Sequence, residues 1–327
     1  MNPIDGKMRY LVIKKETTPG TAADMSSGTI AIAISDVSFQ DQIQKIEDKF
    51  ASGGYTQNVD IKGEELGEVT FKHNIVVSTT HTDELPAQFL LSGYPTDGQF
   101  YYEDKGVDLT CDTITAWYVQ PSVVDGYHIV AKMRGCLNDW SIEAKSGEQA
   151  VLNCKLTGAL YSFSTIASGS VPAYTAPANV TKPLVWKGGI SQADGQDIRW
   201  SSITVNPGLS IAGLKDPSNS TGILRMVIID RKPTLKMNKE VNLISNTNQD
   251  VDDFENGVIR QVDLHTATIP TETTWIAHLH IQAPHAMIKK IKGNDKSPME
   301  WAYEADLVTT DPNESRLNVI LTPFDTD

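Results

Sequence analysis

Apolar and polar residues alternate with a period of two along most of this chain, and the wider spacing of an amphipathic helix is scarce, so the pattern predicts a mainly β protein. Strands are expected at Tyr10-Leu11-Val12-Ile13, at Thr29–Ser35 and at Glu68–Ser78, where Val69, Phe71, Ile75 and Val77 share a face with His73. That histidine reads as a hydrogen-bonded rim residue. Further strands are expected at Phe100-Tyr101-Tyr102, Leu109–Thr113, Ile114–Val119, Ile198–Ile203, Leu209–Ala212, Ile223–Ile229 and Thr234–Ile244. One short helix is predicted over Thr82–Ser92. Thr82 or Asp83 caps it, Pro86 sits early enough to be tolerated, and Leu85, Phe89 and Leu90 form a stripe ended by Gly93. A shorter helix is expected at Asp250–Gly257.

The same order of elements occurs twice. Tyr127–Met133 leads through a loop into Trp140–Glu148, then Val151–Gly158; much diverged, Trp275–Ile281 leads into Met287–Gly293, then Trp301–Leu307. Thr234–Ile244 mirrors Glu68–Ser78. An internal repeat of this kind predicts two tandem units, residues 1–161 and 184–327, each with one flanking helix. The Ser/Ala/Pro-rich stretch 162–183, interrupted by Pro172, Pro177 and Pro183, is the expected linker.

At 327 residues each half is long enough to bury its own core. The formal charge of −13 is concentrated more in the first half, and a surface of that sign disfavours binding to nucleic-acid phosphates. Cys111, Cys136 and Cys154 have no CxxC spacing and read as buried free thiols in a reducing compartment. No apolar run reaches the ~18 residues of a membrane span, and residues 1–7 lack a signal-peptide core, so a soluble, non-exported chain with no membrane partner is expected.

Catalytic signatures are missing: the sequence has no GxxxxGK[ST], no GxGxxG between strand and helix, no GxSxG and no HExxH. No enzyme activity and no cofactor are expected. His278 and His280 stand two apart on a strand, and His265 or His285 could join them, but no carboxylate or cysteine completes a metal-binding spacing, so no metal is expected. The carboxylate pairs Glu64-Glu65, Glu103-Asp104 and Asp252-Asp253 read as solvated surface. The segment from Asp41 to Tyr55 reads as a long loop. Its charges (Asp41, Lys45, Glu47, Asp48, Lys49) are mixed with Ile43, Ile46 and Phe50, and it ends in Gly53-Gly54-Tyr55. Long loops that carry apolar residues within a compact unit are usually functional.

Taken together, Tyr10–Ala22 with its Lys15-Glu16-Thr17-Thr18-Pro19-Gly20-Thr21 core, Leu85–Gly93 followed by Tyr94-Pro95, and Gly135–Glu148 with the strand ending at Thr157-Gly158 resemble the phage tail tube proteins. The resemblance covers most of residues 8–160. It implies a β-barrel or sandwich with one flanking helix, subunits that close into stacked rings around a hollow conduit for viral DNA, and localisation in the virion tail. It also implies partners in the tape measure, terminator and distal tail or baseplate proteins, with Asp41–Tyr55 as the loop touching the next ring or subunit. The acidic balance would keep the genome from sticking to the channel. The chain departs from the usual single tube unit by repeating it, so the expected ring has three chains and pseudo-sixfold symmetry; a ring of six chains with the second unit projecting outward is the rival. A tail terminator or distal ring protein is the nearest alternative function. A tandem β-sandwich binding module, with Trp117, Tyr118, Trp140, Trp200 and Trp275 as stacking platforms, is a further one.

Overall fold

In a computed structural model the protein is mainly β, with one large antiparallel sheet. The structure describes residues 9–46, 61–78, 94–96, 99–105, 113–121, 126–174, 180–183, 186, 190–240, 244–265, 278–294, 300–308 and 315–322. The helix expected at Thr82–Ser92, with Cys111 and Trp275, lies outside them.

In the first half the strands are β1 (Tyr10–Lys15), β2 (Ile30–Ala33), β3 (Ser35–Ile46), β4 (Ile61–Asn74), β5 (Val76–Ser78), β6 (Tyr94–Thr96), β7 (Gln99–Lys105), β8 (Ile114–Pro121), β9 (Tyr127–Lys145) and β10 (Val151–Ala167). After a 3-10 turn at Ser168–Ser170 come β11 (Val180–Pro183), β12 (Ile190–Ala193), β13 (Gln196–Asp197), β14 (Trp200–Asn206), β15 (Leu209–Lys215), β16 (Ile223–Arg231) and β17 (Thr234–Glu240). Helix α1 (Ile244–Asn256) precedes β18 (Ile259–His265), β19 (His278–Asn294), β20 (Glu300–Leu307) and β21 (Ser315–Thr322).

The pairings of the first half recur in the second. β1–β2, β1–β8, β8–β9, β9–β10, β10–β4 and β4–β3 are all antiparallel. They reappear as β12–β13, β12–β18, β18–β19, β19 with β20 and β21, β20–β17 and β17–β14. Strand β10 corresponds to β20 and β21 in succession, with residues 309–314 between them outside the described residues. Two hairpins break the correspondence: β6–β7 has no counterpart among the described residues, and β15–β16 is inserted between β14 and β17.

Several elements differ from the sequence reading. The loop expected between Met133 and Trp140 is absent, because β9 runs on through a register shift in which Arg134 to Leu137 face Ala159 to Thr157. Gly135 takes φ +58° there, and a Cβ on the facing Gly158 would lie 2.3 Å from the Cys136 sulfur, so only glycines fit this bulge. The strand expected to reach Ile244 is described as far as Glu240, and Ile244 instead opens α1, which is longer than expected. The helix ends where Gly257 enters the left-handed region (φ +62°) and the Val258 amide donates to the Asp253 carbonyl at 2.8 Å. The stretch read as a linker is structured at both ends, since β10 continues to Ala167 and β11 pairs with β5.

The two halves do not bury separate cores. One apolar cluster runs from Leu11, Phe71, Trp140 and Leu156 through Ile142, Ile203 and Val205 to Leu235, Ile281 and Val319. The sheet is continuous across the same seam, because β14 pairs with the C-terminal end of β9.

Candidate assembly interface

Strand β9 offers two lengths of edge on one side. Residues Cys136 to His128 pair with β8, and beyond them Ile142, Glu143, Ala144 and Lys145 pair with Val205, Thr204, Ile203 and Ser202 of β14. Strand β19 has the same first length, with Met287 to His280 on β18. Its second length, residues 288–294, pairs with β20 on one side and, among the described residues, with no strand on the other. Strand β3 holds the position in the first half that β14 holds in the second, and it too pairs only with β4 among the described residues. The halves therefore meet at the β9–β14 seam and again where β21 pairs with β7, and among the described residues β3 and residues 288–294 of β19 are open edges of the kinds that make the β9–β14 seam. Unpaired edges template association unless they are protected.

Exposed apolar side chains accompany both edges. Beside β3, Phe39 stacks on Phe163 at 5.8 Å between centroids, and Phe163 is 60% exposed. At the start of the open part of β19, Ile259 pairs with Met287, and Ile259 and Phe254 are both exposed.

The internal seam is reinforced by the β15–β16 hairpin, which lies over the first half. Ile223, Met226 and Ile228 pack with Leu137 and Ala159. The approach is close enough that a Cβ on Gly135 would sit 2.7 Å from the Arg225 Cα, and one on Gly20 would sit 2.5 Å from the Leu224 carbonyl oxygen. Glu16 holds both glycines. Its buried carboxylate accepts from the Gly20 amide (2.7 Å), the Gly135 amide (2.8 Å) and the hydroxyls of Thr113 (2.5 Å) and Thr115 (2.9 Å). The Lys-Glu-Thr-Thr-Pro-Gly-Thr signature thus encodes a buried anion that shapes the docking surface.

One face of the sheet is mostly polar across the seam, from Thr70 and Lys72 on β4, through Asn153 and Lys155 on β10, Ser141 and Glu143 on β9 and Ser202 and Thr204 on β14, to Lys236 and Asn238 on β17 and Glu304 on β20, with Val151 and Ala302 among them. Its charges are paired: Lys155–Glu68 at 3.0 Å, Lys72–Asp36 at 2.8 Å and Lys236–Glu304 at 3.4 Å.

Of the contact residues expected from sequence, Asp41, Ile43, Lys45 and Ile46 belong to β3 rather than to a loop. Asp41 faces Gly67, Ile43 faces Glu65, Lys45 faces Lys62 and Ile46 faces Ile61. Glu47, Asp48, Lys49, Phe50, Gly53, Gly54 and Tyr55 lie outside the described residues. Three of the five aromatics expected as platforms are buried, Trp140 at 2% exposed, Tyr118 at 4% and Trp200 at 9%, and Trp200 meets Trp186 edge-on at 5.1 Å; Trp117 is half-buried with the Lys132 ammonium over its ring. Cys136 and Cys154 are buried free thiols, as expected. Two carboxylates expected to be solvated are engaged: Glu64 pairs with Lys215 at 2.5 Å, and buried Asp253 takes both prongs of Arg260 at 2.7 and 2.8 Å.

Sequence reasoning also missed a constellation. The register sets His265 directly opposite His280 and brings Asp263 between them, so the carboxylate that no spacing had supplied is present. His285 is not part of this group, and the side chain of His278 lies outside the described residues. Behind the sheet a cavity of about 110 Å³ lies under α1, but its charged groups satisfy one another: Lys239 and the Tyr303 hydroxyl donate to Asp250, and Arg260 to Asp253 and Asp194. No helix among the described residues is long and apolar enough to cross a membrane. No protein-family model and no curated protein matches the chain.

Proposed function

We propose that this protein is a structural subunit that assembles through its sheet edges into stacked hollow rings, in the manner of a phage tail tube protein, with three chains to a ring. The recurrence of the pairing order, together with the β9–β14 seam, carries this reading. In it, residues 1–161 and 184–327 are two copies of one tube unit, and the seam inside the chain is the template for the seam between chains. The open edge of β19 receives β3 of the next chain as β9 receives β14. Such contacts are head-to-tail, so a ring closes only when the rotation between units divides a full turn. Six units from three chains satisfy that condition, and the virion tail is the corresponding location.

Transferring the internal register gives the contact its detail. Glu143 and Asn294 hold equivalent places opposite the following strand, and Thr204 and Ser38 hold equivalent places opposite β17 and β4. Ser38 of one chain therefore faces Asn294 of the next, with Phe39 facing Gly293. The mostly polar face is the candidate lining of the conduit. Its lysines and carboxylates compensate one another, so this lining is neutral and rich in hydroxyl and amide groups, where the net charge of the chain had suggested an acidic one. A neutral, hydrated wall also lets a polyanion pass without condensing on it.

A double variant carrying Ser38→Cys and Asn294→Cys tests the contact, because directly opposed strand residues bring their Cβ atoms to about 4.5–5.5 Å, close to disulfide range. Oxidation is expected to give a covalent ladder ending at three chains, with neither single variant linking beyond pairs. Oxidation that leaves the double variant monomeric, or a ladder that ends at six, contradicts the reading.

A further inference from the structure

The equivalence of the halves singles out one pair of positions. Counting from the register shift in each strand pair, Val119 opposite Val130 corresponds to His265 opposite His280, and Trp117 corresponds to Asp263. In the first half this pair is closed over by a small apolar cluster of Tyr10, Val12, Met25 and Val171, with Tyr174 packed against it. In the second half the same place on the sheet carries two imidazoles and a carboxylate.

Their arrangement is specific. The imidazole rings stack at 4.5 Å between centroids and 25° between planes, and both Nε2 atoms address one carboxylate oxygen. Asp263 Oδ1 lies 2.6 Å from Nε2 of His280 and 3.3 Å from Nε2 of His265. One ligand-capable atom from each residue falls within 4.8 Å of the others. All three side chains keep between 20% and 26% of their surface exposed, which leaves an entry path and room for water. Gln282, opposite Asp263, is itself fixed by the Asn318 side-chain amide at 3.3 Å.

We propose that Asp263, His265 and His280 form a divalent transition-metal site, of the zinc class, that clamps β18 to β19 where the first half uses an apolar cluster. Two neutral imidazoles and one carboxylate are a donor set that such ions accept, at metal–ligand distances of about 2.0–2.2 Å. At those lengths ligand atoms stand roughly 3.3 Å apart in a tetrahedral shell, so a small rotation of the Asp263 carboxylate away from His280 admits the ion. The remaining positions go to water. No ligand comes from a second chain, so the site forms in the isolated subunit and does not depend on ring assembly.

The test is titration of the full-length, metal-stripped protein with zinc alone, followed calorimetrically, with cobalt(II) as a spectroscopic substitute. One ion per chain is expected, with visible cobalt bands of a site carrying imidazole ligands and a zinc-dependent rise in melting temperature. His265→Ala and His280→Ala are each expected to weaken zinc by at least ~10-fold, and His285→Ala to leave it unchanged. The cobalt spectrum of the unaltered chain needs no variant to fold. Absence of saturable zinc binding and of those bands, or zinc binding that persists in both histidine variants, overturns the assignment.

Discussion

Glu16 is the residue on which the most local structure converges, because four donors from three separated segments end on one buried carboxylate. A buried donor left without a partner costs about 1–3 kcal/mol, so Glu16→Ala should destabilise the fold by on the order of 3 kcal/mol or more, measured by urea denaturation. Gly135→Ala faces both a left-handed backbone (φ +58°) and the Arg225 backbone. It should cost about 1–3 kcal/mol and loosen the β15–β16 hairpin first, which amide exchange in that hairpin would report. Burial drives the Cys154 thiol up to about 12 from an ordinary value near 9.0, and pushes Cys136 up as well. In a Cys111→Ser background, disulfide reagents at neutral pH should therefore label the unfolded chain only. Above about pH 9 the unfolded Cys154 loses its proton while the folded one keeps it, so this residue's contribution to stability falls as pH rises toward 12. His73 works at the opposite end: burial lowers it, so the unfolded state takes up a proton first as pH falls through the ordinary 6.5, and stability declines there.

At the scale of elements, alternation made most strands legible, since Leu152, Cys154 and Leu156 point inward while Asn153, Lys155 and Thr157 do not. What the pattern concealed has physical causes. β9 looks interrupted at Gly135–Asp139 because a bulge breaks the period of two without ending the strand. The end of β3 looks like a loop because Asp41 to Ile46 are mostly polar, and pairing with β4 extends the strand. Asp263 escaped notice as a histidine partner because its closest neighbour, His280, is on the next strand, and cross-strand register cannot be read from either strand alone. The β15–β16 hairpin was legible as two strands, but its packing on the other half was not. Ile223 is buried in that contact, so Ile223→Ala should cost about 2–5 kcal/mol by the same denaturation experiment.

For the whole molecule, the order of elements read from sequence anticipates the recurrence of the strand pairings, whereas the fusion of both halves into one sheet with one core was not legible. Among the described residues, the open edges of β3 and of residues 288–294 of β19 lie at opposite ends of the run β3-β4-β10-β9-β14-β17-β20-β19. The most direct test of the assembly reading is to determine the mass and image of the particles the purified full-length protein forms. Hollow rings of three chains with six similar lobes, stacking end to end, are the result expected. Particles that stay monomeric at concentrations where tubes should grow, or rings built from six chains, would contradict it.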